Sequence, residues 1–338
     1  MKLGINWPPE PLQDHEPLVR ATEATGVDLI GVSDSQAGEY RECYVTLSRM
    51  VAETSRVTVG PMVTNPITRH PAVTAAALST IAEAAPGRCI VGISTGDSGV
   101  HNLGLRPAKL RELEDYVSAL RGLFTGAETS YRGATMRLRW AHQRIPIYIG
   151  AEGPRSLRLA GRIADGVIVG GGLSPEVIDA ALALIEDGAA SAGRDLGDLE
   201  VWFMGKASLA KSREAALYDV RASLASSANH VFRFTLEGKA VPAELVPAIE
   251  RLQQRYDVQF HNVPGEENPN AKLIEELELT DYLARRFGIL GTPADCIEQL
   301  AAIKARPEVD GVLARPLVED QIAFLRNWRE VVNGVAAA

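Results

Sequence analysis

The sequence predicts an α/β protein of the (β/α)8 TIM-barrel class, and three observations carry that expectation. Short apolar runs alternate with amphipathic stretches along the chain. The runs are almost continuously apolar, as parallel strands are when helices cover both faces of the sheet. There are eight of them in 338 residues, which suits one barrel of about 250 residues carrying an insertion. The count alone is also compatible with a doubly wound open sheet.

The apolar runs lie at 3–7, 27–33, 57–63, 89–94, 145–150, 166–169, 199–204 and 311–315. Helical patterns separate or follow them at 16–25, 44–54, 72–85, 108–124, 154–163, 175–191, 212–227, 293–304 and 319–332. Strand followed by helix, repeated, means parallel strands with helical crossovers. Two segments break the rhythm. Residues 131–140 read as a small hairpin turning at Gly133, and residues 229–288 stand between strand seven and the last βα unit. The second mixes a helical pattern at 242–256 with the polar stretch PGEENPNAK. A long excursion in a tight barrel is expected to be functional. We read one domain over 1–338, with the insertion at about 229–288 shaping the substrate side.

Composition narrows the function classes. Hydrophobic residues make up 46% and charged residues 23%, as in a protein with a large core. Lys and Arg number 35 against 43 Asp and Glu, a formal charge of −8, which argues against nucleic-acid and anionic-membrane partners. Cys43, Cys89 and Cys296 are too far apart for a disulfide framework or a zinc site, and a cytoplasmic setting is expected. No signal-peptide core or membrane-length apolar run is visible. Neither metal-ligand spacing nor a GxSxG elbow is present, and GxxxxGK[ST] and strand-borne GxGxxG are absent too.

In a barrel, chemistry sits where strands end at the C-terminal face. After strand one, Asn6-Trp7-Pro8-Pro9 makes Trp7 either a rigid wall for a flat ligand or a plug of the mouth. After strand two, Ser33-Asp34-Ser35-Gln36 offers Asp34 as a hydrogen-bond acceptor, or as a turn residue. After strand three, VTNPITRHP brings Thr64, Asn65, Arg69 and His70 together. Arg69 and His70 suit an anion or a carbonyl; equally, Pro71 opens a helix with His70 as its cap. After strand four, Ser94-Thr95-Gly96-Asp97 lets a ligand approach the backbone closely, unless Asp97 serves only as a cap. After strand five, Gly150-Ala151-Glu152-Gly153-Pro154-Arg155-Ser156 opens a helix whose free amides suit an anion. Strand six ends in Gly170-Gly171-Gly172, a second place for close approach.

Four segments then identify a resemblance. They are VGPMVTNPITRHPAVTAAALSTIAE (59–83), VGISTGDS (91–98), IPIYIGAEGPRSLRLAGRIADGVIVGGG (145–172) and the weaker GTPADCIEQL (291–300). The chain resembles the bacterial luciferase-like superfamily of flavin and deazaflavin oxidoreductases, in the branch of methylenetetrahydromethanopterin reductase-like proteins. The resemblance implies a reduced flavin or deazaflavin across the barrel mouth. A non-proline cis peptide at Met62–Val63, next to Thr64, would press on the ring. Thr95, Gly96 and Asp97 would lie beside it. Ala151, Glu152, Gly153, Pro154 and Arg155, with Gly170 and Gly171, would hold the cofactor phosphate. Asp34, Asn65 and His70 are the candidate catalytic residues. Trp7, Ser35, Arg69, His230 and Phe232 are the candidate substrate contacts, although packing explains ANHVFRF as well. Arg285 and Arg286 suit an anionic tail or a solvated helix face.

One departure bears on the chemistry. Deazaflavin enzymes of this group usually carry Asp-His after strand two, where this chain has Asp34-Ser35. On that ground the expected activity is a monooxygenase using reduced FMN and dioxygen on a small organic substrate, fed by a separate flavin reductase. The alternative is a coenzyme F420-dependent reductase or dehydrogenase, and a third reading is a non-catalytic flavin-binding protein. A homodimer or higher homo-oligomer is expected from the family. With so acidic a chain, the phosphate is expected to rely on backbone amides more than on a basic patch.

Overall fold

Burying both faces of every strand is what closes this chain into a ring. The computed structural model describes residues 1–35, 37, 40–261, 263, 265 and 267–338. Gln36, named above with the second strand end, lies outside them, as do Pro264 and Glu266 of the polar stretch. The strands are β1 (Lys2–Trp7), β2 (Leu29–Val32), β3 (Thr58–Pro61), β4 (Val91–Ile93), β5 (Thr129–Tyr131), β6 (Ala134–Met136), β7 (Ile147–Ala151), β8 (Gly166–Val169), β9 (Glu200–Leu209), β10 (Gly288–Gly291) and β11 (Gly311–Pro316). The main sheet runs β3-β2-β1-β11-β9-β8-β7-β4, all parallel. Parallel bridges Val59–Cys89 and Thr64–Ile93 join β3 to β4, so the eight strands form the expected barrel.

Side chains alternate between two cores. Leu29, Met62, Ile90, Tyr148, Ile168, Trp202 and Leu313 fill the inside. The opposite faces, such as Ile5, Val32, Val91, Ile149, Val167, Phe203 and Val312, pack against the helices outside. A third cluster belongs to helix Arg213–Phe232 and the insertion, including Leu224, Phe232, Ile249, Leu252, Ile274, Leu283 and Phe287.

Three departures from the expected elements matter. The apolar run ending at 204 continues as strand to Leu209, because Gly205 and Lys206 interrupt hydropathy but not the ladder, pairing with Ala314 and Arg315. β10, which the apolar pattern does not mark, takes the edge of β9 that β8 leaves, with Gly288 opposite Lys206. Helix Arg213–Phe232, capped by Ser212 accepting from the Ala215 amide, runs past 227 into the insertion, so His230 and Phe232 sit in its last turn. The hairpin turns at Gly133 as expected but spans β5 and β6, with Arg132 and Gly133 both at positive φ (48° and 81°).

The helix that opens from Gly153 (Pro154–Ile163) is held by its neighbour Pro175–Ala190 through a glycine crossing. A Cβ at Gly188 would collide with the Arg158 carbonyl, and one at Gly161 with the Ile185 carbonyl. Gly188→Ala gains about 1 kcal/mol of helix propensity, but two backbones cannot both keep their place. We expect a net loss of about 2 kcal/mol of unfolding free energy, read as a lower urea midpoint; an unchanged or raised midpoint would show that the crossing yields.

Candidate active site

Alternation decides which residues reach the mouth of the barrel. Beyond the inner core, the inward positions are Asn6 on β1, Ser33 after β2, Ser94 after β4, Gly150 on β7, Gly170 after β8, Lys206 on β9 and Arg315 on β11. Glu152, one residue beyond β7, continues the same face. The Met62–Val63 peptide is cis, as the family resemblance implies. A Cβ at Gly150 would lie 3.4 Å from both Ser94 Cβ and Val63 Cγ1, so the absent side chain leaves a low floor between them. Asn6 donates to the Met62 carbonyl at 3.4 Å, while its buried Oδ1 has no partner. Gly96, at φ +103° and crowded by Val100 and Asn65, bends the chain away from this floor. A flat heteroaromatic ring fits a floor of small residues with one unpaired acceptor beneath it.

Two cations stand on the wall opposite. Lys206 and Arg315 are register partners on adjacent strands. Arg315 reaches Ser33 Oγ at 3.4 Å and Tyr40 OH at 3.3 Å. Burial, reinforced by the Arg315 charge and opposed by Glu152, lowers Lys206 to about 7.

The insertion meets the barrel through charges. His230 Nδ1 is 2.9 Å from Asp97 Oδ2, out of line for a good hydrogen bond, and its Nε2 is 3.0 Å from Glu152 Oε1. Arg233 donates to Asp97 Oδ1 at 2.5 Å. The Glu152 charge, against the opposing effect of burial and with help from Asp97, raises His230 to about 10, so it is an imidazolium at neutral pH. Burial pushes both carboxyls up, but His230 and Arg233 hold Asp97 well below its usual range, and His230 with Lys239 lowers Glu152. His261 stands near the same groups, hydrogen-bonded to Ser226 Oγ (3.2 Å) and Tyr256 OH (2.8 Å), and is lowered mainly by burial.

The expected phosphate end is built largely as its residues suggest. Gly153 precedes the helix start at Pro154, and its amide donates to Ser156 Oγ at 3.2 Å. Gly238 of the insertion lies against Pro154. Between Glu152, Gly171, Gly238, Lys239 and Arg286 remains a cavity of about 10 Å³, room for about one water. Arg286 is only 1% exposed and touches no carboxylate. It donates to the carbonyls of Gly171 (2.9 Å), Lys239 (2.7 Å) and Ala240 (3.3 Å) and to Tyr282 OH (2.8 Å). Neither the anionic-tail nor the solvated-face expectation for Arg286 survives; it pins the insertion to the end of β8. Arg285 is exposed.

Val63, Thr95, Gly96, Asp97, Glu152, Gly153, Gly170 and His230 therefore gather at the mouth, half-buried except for the fully buried Thr64 backbone beside them. Other candidates fall elsewhere. Trp7 faces outward because Asn6 faces inward; its Nε1 donates to Thr22 Oγ1 (3.0 Å) and its ring packs edge-on to Phe324. Asp34 is locked by Arg69 (2.6 and 3.1 Å) and accepts from Thr64 Oγ1 (2.6 Å), and Arg69 continues to Glu42 at 2.5 Å. This ion pair braces the β2 and β3 ends, leaving neither partner for a substrate. Ser35 is buried with its backbone against Gly99. Asn65 Oδ1 accepts from the Ile67 and Thr68 amides (2.9 Å each), an Asx turn. His70 is an exposed helix cap accepting from the Ala72 amide at 3.2 Å. Met62 fills the barrel interior beside Gly31, and Ala151 faces the outer core. Phe232 is buried beside Arg286 and Phe287, and Arg155 is exposed. Pro154 lies under Gly238, and Gly171 gives its carbonyl to Arg286.

The unforeseen residues are Lys206, Arg233, Lys239 and Arg315. A signal for two of them exists: continuing the two-residue period past Met204 and Leu313 puts Lys206 and Arg315 on the inner face.

Two outcomes separate brace from site. Asp34→Asn should cost about 3 kcal/mol in urea unfolding, because it strands a largely buried guanidinium; stability like wild type would return Asp34 to the list of ligand contacts. His230 has its folded pKa raised from 6.5 to about 10, so its contribution is full below pH 6.5 and fades as pH rises toward 10. His230→Gln should remove that part of the stability loss across pH 6.5 to 10, checked by thermal unfolding at stepped pH.

Comparison with known proteins agrees with this geometry. Residues 3–310 match the family model of luciferase-like monooxygenases. A 5,10-methylenetetrahydromethanopterin reductase of Archaeoglobus fulgidus is 29% identical over 330 residues, 95% of each chain. An F420-dependent glucose-6-phosphate dehydrogenase of Nakamurella multipartita is 35% identical over 223 residues, 60% of this chain and 66% of that one. Among solved structures, the coenzyme F420-dependent tetrahydromethanopterin reductase of Methanopyrus kandleri superposes with a TM-score of 0.77 over 98% of both chains, at 22% identity. The chain belongs to the luciferase-like family, and it is an oxidoreductase built on that family's barrel.

Proposed function

We propose that this oxidoreductase moves a hydride between coenzyme F420 and a carbon atom of a small substrate. The observation that carries the reading is the charge of the mouth. Asp97, Glu152, His230, Lys206 and Arg315 surround the ring floor, whereas protecting a reactive oxygen adduct of flavin calls for a dry, apolar pocket. This reverses the preference that Ser35 suggested. The relatives that match along or beyond half of the chain, a methylenetetrahydromethanopterin reductase and an F420-dependent dehydrogenase, support the same choice.

The deazaflavin, when bound, accepts or supplies the hydride. The chain's own residues have three tasks. Val63, Ser94 and Gly150 support the ring from below. Lys206 and Arg315 attract an anionic group to the wall beside it. Hydride transfer at a carbon bonded to oxygen or nitrogen also needs a proton at the heteroatom. With Ser35 in place of an imidazole, Lys206, held at about 7, is the group on the wall able to take or give one near neutrality.

A second reading, a monooxygenase using reduced FMN, is favoured by Ser35 and by the description of the matching family model. Parallel fluorescence titrations with F420 and FMN, followed by oxygen uptake with reduced FMN, divide the two. Tighter F420 binding and no oxygen uptake above the free-flavin rate are expected. FMN bound more tightly, with substrate-dependent oxygen uptake, would establish the second reading instead.

A further inference from the structure

Glu152 is an anion already standing in an anion's place. Its carboxylate lies directly over Gly170, where a Cβ would collide with Oε1. It is 3.0 Å from His230 Nε2 and within electrostatic reach of Lys239, Arg286 and Lys206. The same strand ends, Gly153 and Gly170, form the expected phosphate end of the cofactor site. The remaining cavity of about 10 Å³ is far too small for a phosphate, so an entering phosphate must share this space with the carboxylate or push it aside.

We infer that Glu152 is a specificity-determining residue that selects a phosphodiester over a phosphomonoester at the tail of the cofactor. The inference deepens the F420 reading above and rests on it. The phosphate of F420 is a diester and carries one charge; the phosphate of FMN is a monoester, with a second ionisation near pH 6, and carries close to two at neutral pH. A fixed carboxylate nearby repels each ligand in proportion to its charge. His230 and Lys239 hold Glu152 in its charged form, so the repulsion is present whenever a ligand arrives. Nothing comparable acts on the uncharged ring, so the discrimination belongs to the tail alone.

The experiment is equilibrium binding of F420, FMN and riboflavin to the wild type, Glu152→Gln and Glu152→Asp at pH 7.5 and one ionic strength. Removing one negative charge should tighten FMN about tenfold and F420 about threefold, because the logarithm of the gain scales with ligand charge. Riboflavin should be unchanged by Glu152→Gln. Glu152→Asp, which keeps the charge, should leave the ratio of FMN to F420 affinity as in the wild type. Equal gains for FMN and F420, loss of both, or a Glu152→Asp ratio shifted like that of Glu152→Gln would overturn the inference, the last by making the effect one of packing. A wild type that prefers FMN would instead overturn the functional reading, while the change in ratio between variants still measures the charge of Glu152.

Discussion

The two-residue period of a strand inside a closed parallel ring governs almost everything in this molecule. A closed ring has no edge, so each side chain must face either the narrow interior or the helical layer, and both are filled. Where the interior ends, the same period continues for one more step and delivers Ser33, Ser94, Glu152, Lys206 and Arg315 to a common rim. The rim is charged because these positions lie beyond the reach of the inner core, where Trp202, Met62 and Tyr148 already occupy the space. Chemistry and core are successive layers of one pattern.

The second organising force is charge across the seam between barrel and insertion. An acidic chain would be expected to hold a phosphate with amides, and the barrel's own contributions at that end, Gly153 and Glu152, are neutral and negative. The cations arrive from the insertion as His230, Arg233, Lys239 and Arg286. Docking the insertion and assembling a balanced electrostatic site are thus the same event. The acidic net charge of −8 describes the surface and not this interior.

The barrel, its strand order, the hairpin turn at Gly133 and the cis peptide at Met62–Val63 were legible because local patterns report them directly. Contacts made across long sequence separation were not. Trp7 looked like a mouth residue from its place at a strand end, but a single residue of phase puts it on the outside against Thr22 and Phe324. Asp34 and Arg69, separated by 35 positions, each looked available because their partnership is visible only when β2 and β3 lie side by side. Lys206 was hidden for the opposite reason: a cation ends an apolar run to a reader of hydropathy, whereas the ladder ignores hydropathy and runs through it. His230 was named rightly as a mouth residue, but its two carboxylate neighbours come from loops 78 and 133 residues upstream.

Arg286 has a consequence for how far this segment can drift in sequence. Its guanidinium is neutralised by no acid; it is held by the carbonyls of Gly171, Lys239 and Ala240 and walled by Phe232 and Phe287. Carbonyls belong to the backbone, so the identities of residues 239 and 240 matter little to this contact, while the planar fork of an arginine cannot be replaced by the single ammonium of a lysine. The insertion can therefore change its surface, and with it the substrate it admits, while one side chain returns the chain to the same point on the barrel. A variable loop with an invariant mooring is a means of altering selectivity without rebuilding the catalyst.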